Sequence, residues 1–297
     1  VDFAVKRTRK LDPLENAMQL LFFLCGAVAV AFVLVITVYL VVSGLPAIQK
    51  VGLGNFLLGT TWDSANKTDP QYGILPFILT SIYGTAGAIL IGVPVGFMTA
   101  MFLAKAAPPK LAAVVRPAVD LLAGIPSVVY GMVGMVVLLP GIRGLFHLKA
   151  GDTLLAAILV LAVMILPSII SVSETALRAV PREYEEASLA LGATEMETYF
   201  RVSAPAAKSG IAAAVVLGVG RAIGEAMAIM MVAGNAANMP GLFRSVKFLT
   251  TAVASEMSYA ADGSLQKMAL FSIGLVLFLF IMMINVFLNL VLKREKE

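Results

Sequence analysis

The stretch Pro181–Pro205, PREYEEASLALGATEMETYFRVSAP, is a charged island between two long apolar runs, and its reading decides the fold. Pro181 suits the first position of a helix, and Glu183, Glu185 and Glu186 then fall in its first turns, where the helix dipole favours acids. Gly192 ends that helix. Thr194, followed three residues later by Glu197, predicts a capping box, so a second short helix starts at once and runs until Pro205. Tyr184, Ala187, Ser188 and Leu191 share one stripe of the first helix, and Met196, Tyr199 and Phe200 cluster on the second. Two short helices bent at Gly192 thus present an apolar tip inside a charged rim. A solvated interhelical loop has the same composition; only the spacing separates the two readings.

Outside the island the chain is apolar. Of 297 residues 60% are hydrophobic and 13% charged, and the mean hydropathy is +0.93. Soluble domains carry about 25% charged residues, so this is an integral membrane protein. One cysteine, Cys25, and one histidine, His147, leave almost no material for disulfides, zinc, haem or a catalytic triad. The net charge of +4 could suggest nucleic acid, but basic residues in a membrane protein more often report its orientation.

Six apolar runs are long enough to cross a bilayer. They are Met18–Val42, Ile74–Ala104 with kinks expected at Pro76 and Pro94, Pro117–Leu139, Thr153–Ser173, Ser209–Gly234 and Lys267–Leu292. The first lacks the short apolar region and cleavage site of a signal peptide and reads as an uncleaved anchor. In the third, Gly124, Gly131 and Gly134 allow close helix approach, Pro126 is a candidate break, and Asp120, three residues after Pro117, reads as a helix cap. The polar segment 43–72 contains Asn66-Lys67-Thr68, a glycosylation triplet of a kind common by chance.

Residues 1–17 and 293–297 flank a single transmembrane domain, 18–292, whose island loop is 181–205. Lys and Arg number four before the first span, three in 105–116, four around the island and three in the tail, 14 in all, against seven on the opposite side. By the positive-inside rule the termini and the island are cytoplasmic. No inverted repeat of the secondary-transporter kind is evident.

One charge lies inside the membrane. Arg221, in LGVGRAIGEAMAIMM, is about twelve residues into the fifth run, roughly 18 Å deep in a core of about 30 Å, where an arginine costs at least about 2.5–3.5 kcal/mol. Glu225, one turn on, lies on the same helix face and is placed to pair with it. A purely structural pair is one reading. The other is an anion path, with Gly218, Gly220 and Gly224 leaving room beside a guanidinium fork suited to a tetrahedral oxyanion. A carboxylate beside that arginine accepts a hydrogen bond only from an anion that still carries a proton, as phosphate does near neutral pH and sulfate does not.

The island's spacing resembles the EAA signature of importer-type ABC permeases: Glu186-Ala187-Ser188, Gly192, nine residues to Val202, and Pro205 three further on. It departs from the pattern at Ser188, Val202 and Ala204. The resemblance implies an all-α integral membrane protein, six transmembrane helices of the type I importer kind, and a cytoplasmic coupling loop that docks into an ATPase. Tyr184, Glu186, Ala187, Ser188, Leu191, Gly192 and Pro205 would serve that coupling.

YGILPFILTSIYGT (72–85), LLAGIPSVVYGMVG (121–134) and GVGRAIGEAMAIM (218–230) are similar to phosphate importer permeases of the PstC and PstA kind, the first more to PstC. That implies phosphate import at the bacterial inner membrane by alternating access, with Arg221 and Glu225 binding substrate. It also implies a second permease as heterodimer partner, two ATPase subunits and an extracytoplasmic phosphate-binding protein. No G-x-x-x-x-G-K-[ST] motif occurs here, so ATP and its magnesium are expected on the partner ATPase, with no cofactor or metal bound by this chain. Two other classes stand beside this one: a permease for molybdate, tungstate or sulfate, and an intramembrane enzyme using Asp120, Glu225 and Tyr130.

Overall fold

A computed structural model describes residues 13–294 except 65 and 67. The expected basic segment before the first span, the end of the expected tail and Lys67 of the glycosylation triplet lie outside the described residues. Asn66 itself closes a turn, its side-chain oxygen accepting from the amides of Thr68 and Asp69.

The first helix, α1 (Pro13–Val51), is longer than its apolar run and carries Pro46 near its far end. A short helix α2 (Leu53–Leu58) and a two-stranded hairpin, β1 (Trp62–Asp63) with β2 (Gln71–Tyr72), follow it. Helix α3 (Leu75–Met101) has Pro76 in its first turn rather than at a kink, keeps Pro94 within one continuous helix, and ends in a π turn, Phe102–Ala106. Next come α4 (Pro109–Gly124), α5 (Ser127–Val133), a second π turn (Gly134–Leu138) and α6 (Leu139–Leu145). Helix α7 (Leu154–Arg178) packs against α3, α4 and α11 (Lys208–Gly224) and is the most buried of the long helices. After α11 the chain forms α12 (Met227–Val232), α13 (Leu249–Glu256) and α14 (Leu265–Arg294), the last packed along α1.

Five helices among the described residues are long and apolar enough to cross a membrane, and a bent helix pair that ends in α11 makes the sixth. Two expected boundaries are corrected. The third span is Ser127–Leu145, not Pro117–Leu139. Proline disfavours helical backbone in the residue before it, so Ile125 is extended and Pro126 starts a new helix, whereas Pro117 lies inside α4. Asp120 is therefore mid-helix and caps nothing.

The fifth run also stops early. Its helix ends at Gly224, and Glu225 adopts extended backbone (φ −72°, ψ 132°) before α12 begins. Close approach is real at Gly131, where a Cβ would lie 2.9 Å from the Cα of Ala228, and at Gly134, which faces Val160 and Val232. Gly124 meets nothing.

At the end away from the island, the hairpin is fastened to the last residue of α13, which also holds Lys247 of the preceding loop. Glu256, largely buried, accepts from Trp62 Nε1 (3.1 Å), Ser64 Oγ (3.0 Å) and Lys247 Nζ (2.6 Å). Burial by itself would raise the Glu256 carboxyl; the hydrogen bond and charge of Lys247, with Trp62 and Ser64, outweigh it and hold the group below its ordinary range. A carboxyl that titrates lower folded than unfolded contributes stability fully above the unfolded value, about 4.3, and loses it as pH falls through the folded one. Glu256→Gln is expected to cost about 1–3 kcal/mol at pH 7. Thermal melts of the two forms in detergent should converge as the pH falls below the carboxylate range.

Candidate functional site

The island folds as two helices, α8 (Arg182–Ala190) and α9 (Glu195–Thr198). Pro181 stands one place before α8, as its N-cap rather than its first helical residue. Gly192 has φ +86°, a conformation that costs a side chain about 1–2 kcal/mol, and open space surrounds it. Thr194 and Glu197 form the reciprocal capping box: Thr194 Oγ1 accepts from the Glu197 amide, and the Glu197 carboxylate accepts from the Thr194 amide.

Pro205 does not end the second helix. A π turn (Tyr199–Ser203) absorbs its missing N–H, the Ala204 amide reaching back five residues to the Tyr199 carbonyl. The helical path continues through α10 (Ala204–Ala206) and then bends by 73° into α11.

Tyr184 and Leu191 are exposed by 56% and 90%, beside exposed Ala187, Met196 and Glu186. Such a cluster of apolar side chains in water, with charges around it, has the character of a docking surface. Ser188 turns the other way, its Oγ 2.9 Å from Thr198 Oγ1, and so closes α8 against α9.

Beneath the tip lies a linkage that sequence reading missed. Lys105, at the end of α3, forms an ion pair with Glu185, whose Oε1 also accepts from Ser203 Oγ at 2.7 Å. The Tyr199 hydroxyl donates to the Lys105 carbonyl at 3.3 Å. Burial would raise the Glu185 carboxyl, but hydrogen bonds from Lys105 and Ser203, with the Lys105 and Arg182 charges, hold it low. The island is thereby tied to the end of α3 as well as to its own neighbours. No local signal identifies Lys105 as the partner, because the two residues lie eighty positions apart.

In the membrane interior, Arg221 and Glu225 are not an ion pair. Pairing at i, i+4 needs an unbroken helix, and the break at Glu225 removes it. Arg221 Nη1 donates instead to Ser168 Oγ on α7 at 3.3 Å. Glu225 Oε1 accepts from the Ala228 amide at 2.9 Å, its carbonyl accepts from Thr250 Oγ1 at 2.7 Å, and its second carboxylate oxygen takes no hydrogen bond from the described residues. Gly220 and Gly224 face open space, whereas Gly218 packs on Ile169. Tyr130 donates to the Leu122 carbonyl, and Asp120 lines a separate cavity with Arg116 and Arg178, so the structure does not bring Asp120, Tyr130 and Glu225 together by hydrogen bonds among the described residues.

Thr194→Ala, which removes the capping box, is expected to cost about 1 kcal/mol locally. Hydrogen exchange at the amides of Glu197 and Thr198 should speed up roughly fivefold while α7 and α11 stay protected.

A family model described as a binding-protein-dependent transport system inner membrane component matches residues 92–296. A probable ABC transporter permease, YqgH of Bacillus subtilis, is 40% identical over 287 residues, covering 94% of this chain and 92% of its own length. The phosphate transport system permease protein PstC of Haemophilus influenzae is 37% identical over 284 residues, 88% of each chain. Among solved structures, an inward-facing form of the MetNI methionine ABC transporter aligns with a TM-score of 0.59 at 21% identity, over 74% of this chain and 95% of that one, which speaks to the fold alone. With two thirds of its length matched by the family model and near-full-length relatives of the PstC type, this chain belongs to the family of inner-membrane components of binding-protein-dependent transport systems.

Proposed function

We propose that the chain is the PstC-type permease subunit of an ATP-driven importer that carries inorganic phosphate across the bacterial inner membrane by alternating access. The observation that carries this reading is the near-full-length similarity to a phosphate transport permease, joined in this chain to a guanidinium on the fifth span. Arg221 supplies a fixed fork of donors, and the open space at Gly220 and Gly224 admits an anion beside it. The second oxygen of Glu225 is available to accept a hydrogen bond, which only a protonated oxyanion offers.

Transport is driven from the island. Its exposed tip of Tyr184, Ala187 and Leu191, rimmed by Glu186, fills a groove on the partner ATPase, and Gly192, Ser188 and Pro205 keep its two helices in shape. ATP and magnesium reside on that partner, present in two copies; a second permease and an extracytoplasmic phosphate-binding protein complete the assembly. The excess of Lys and Arg on one side supports a cytoplasmic orientation for the termini and the island.

Arg221→Gln removes charge-assisted hydrogen bonds of about 1.5–3 kcal/mol, so ATP-driven uptake of labelled phosphate should fall by roughly 10- to 150-fold while the importer still assembles. Glu225→Gln should narrow the preference for phosphate over sulfate in competition assays; unchanged preference removes its role, and equal competition by molybdate, tungstate or sulfate in the parent points to another oxyanion. Glu186→Lys, or a bulky side chain at the left-handed Gly192, should abolish uptake and weaken retention of the ATPase. Survival of both overturns the coupling role.

A further inference from the structure

Toward the island, one face of α7 carries Ser168, Ser171, Thr175 and Arg178, none of them fully buried, while Leu155, Leu159 and Val163 lie on a different face in the half away from the island. Steps of three and four residues keep these four on one stripe, about 15 Å long. Arg221 Nη1 donates to Ser168 Oγ at its upper limit. At its lower limit the stripe opens into a cavity of about 270 Å³ whose lining includes Arg116, Asp120, Glu174 and Arg178. A single hydroxyl on a membrane helix can serve its own backbone, as Thr175 does for the Ser171 carbonyl at 2.8 Å, but a row of polar side chains running from Arg221 to two guanidiniums suits the wall of a water-filled passage.

We propose that this stripe lines the island-side half of the phosphate path, from Arg221 to a second, weaker stopping place between Arg116 and Arg178. The inference rests on the reading of the chain as a phosphate permease. Glu174, buried within α7, orients both arginines: its Oε1 accepts from Arg116 Nε at 2.6 Å and forms an ion pair with Arg178, whose Nε lies at 2.9 Å. The Leu103 carbonyl takes a further bond from Arg116 Nη2 at 3.0 Å and from Arg178 Nη2 at 3.5 Å.

Each guanidinium has five N–H donors and keeps some that the chain does not use. Two arginines face two acids, Glu174 and Asp120, so the cavity offers donors without net positive charge. A stopping place on an exit path needs that balance, since an ion must be attracted enough to enter and held weakly enough to leave. The mid-membrane Arg221, lacking an ion-paired acid, is the tighter of the two.

The single cysteine makes the path testable in the complete importer with Cys25→Ser, in vesicles whose island side faces the medium. A membrane-impermeant thiol reagent should modify Ser171→Cys and Thr175→Cys about tenfold faster than Val163→Cys, because a thiol in water ionises and one in hydrocarbon does not. Saturating inorganic phosphate should slow the first two reactions and leave the third unchanged. Equal rates at Val163→Cys and Thr175→Cys, or rates that phosphate does not alter, overturn the assignment. Phosphate uptake by the Cys25→Ser parent is measured in parallel: its absence removes the phosphate reading itself, whereas uptake without phosphate-sensitive labelling removes only the path along α7.

Discussion

A hydrocarbon solvent gives backbone N–H and C=O groups nothing to bond with, so each must be satisfied inside the chain. The helices meet that demand by themselves, and the breaks between them are where the protein has to spend side chains. At Glu225 the carboxylate caps the next helix and Thr250 takes the carbonyl. Near Pro126 the Tyr130 hydroxyl covers the Leu122 carbonyl. Close by Pro140 and Pro205 the chain widens into π turns that reach back five residues, replacing the hydrogen bond that proline cannot make. Polar side chains in the apolar interior are thus first of all backbone partners, and Arg221 stands apart in bonding another side chain, Ser168.

The same solvent raises the value of each buried charge. Glu174 would be expensive alone; held by two guanidiniums it becomes the anchor that sets both. Glu185 plays the comparable part at the island, where Lys105 and Ser203 converge on it. Glu174 lies in the last turns of α7, and Glu185, on α8, ties the island to Lys105 at the end of α3, so the island is held to a long helix by fixed polar contacts. The exposed tip, by contrast, makes almost no contact with its own chain, which leaves it available to a partner.

Hydropathy made the number of spans legible, with the fifth run's helix counted as one limb of a bent pair. It misplaced the third span and the end of the fifth because an average over many residues does not register where one peptide group turns extended. Ile125 and Glu225 are such points. The same averaging ended the fourth run at Ser173 and so set Glu174 outside the membrane helix, although an acid one turn before Arg178 was a visible sign. In the island, local chemistry was enough: Gly192 and the Thr194–Glu197 box are contacts within four residues, and the sequence specifies them completely.

By itself, then, the sequence determined the solvent of this protein, its helical class, the two-helix island and the presence of a cation deep in an apolar run, since each follows from short-range pattern and composition. Only the tertiary structure decided that Arg221 leans on Ser168 rather than on Glu225, that Lys105 holds Glu185, and that Arg116, Glu174 and Arg178 meet. Those outcomes depend on where helices break and which faces then pack, and that is settled by satisfying backbone and charge across the whole bundle at once.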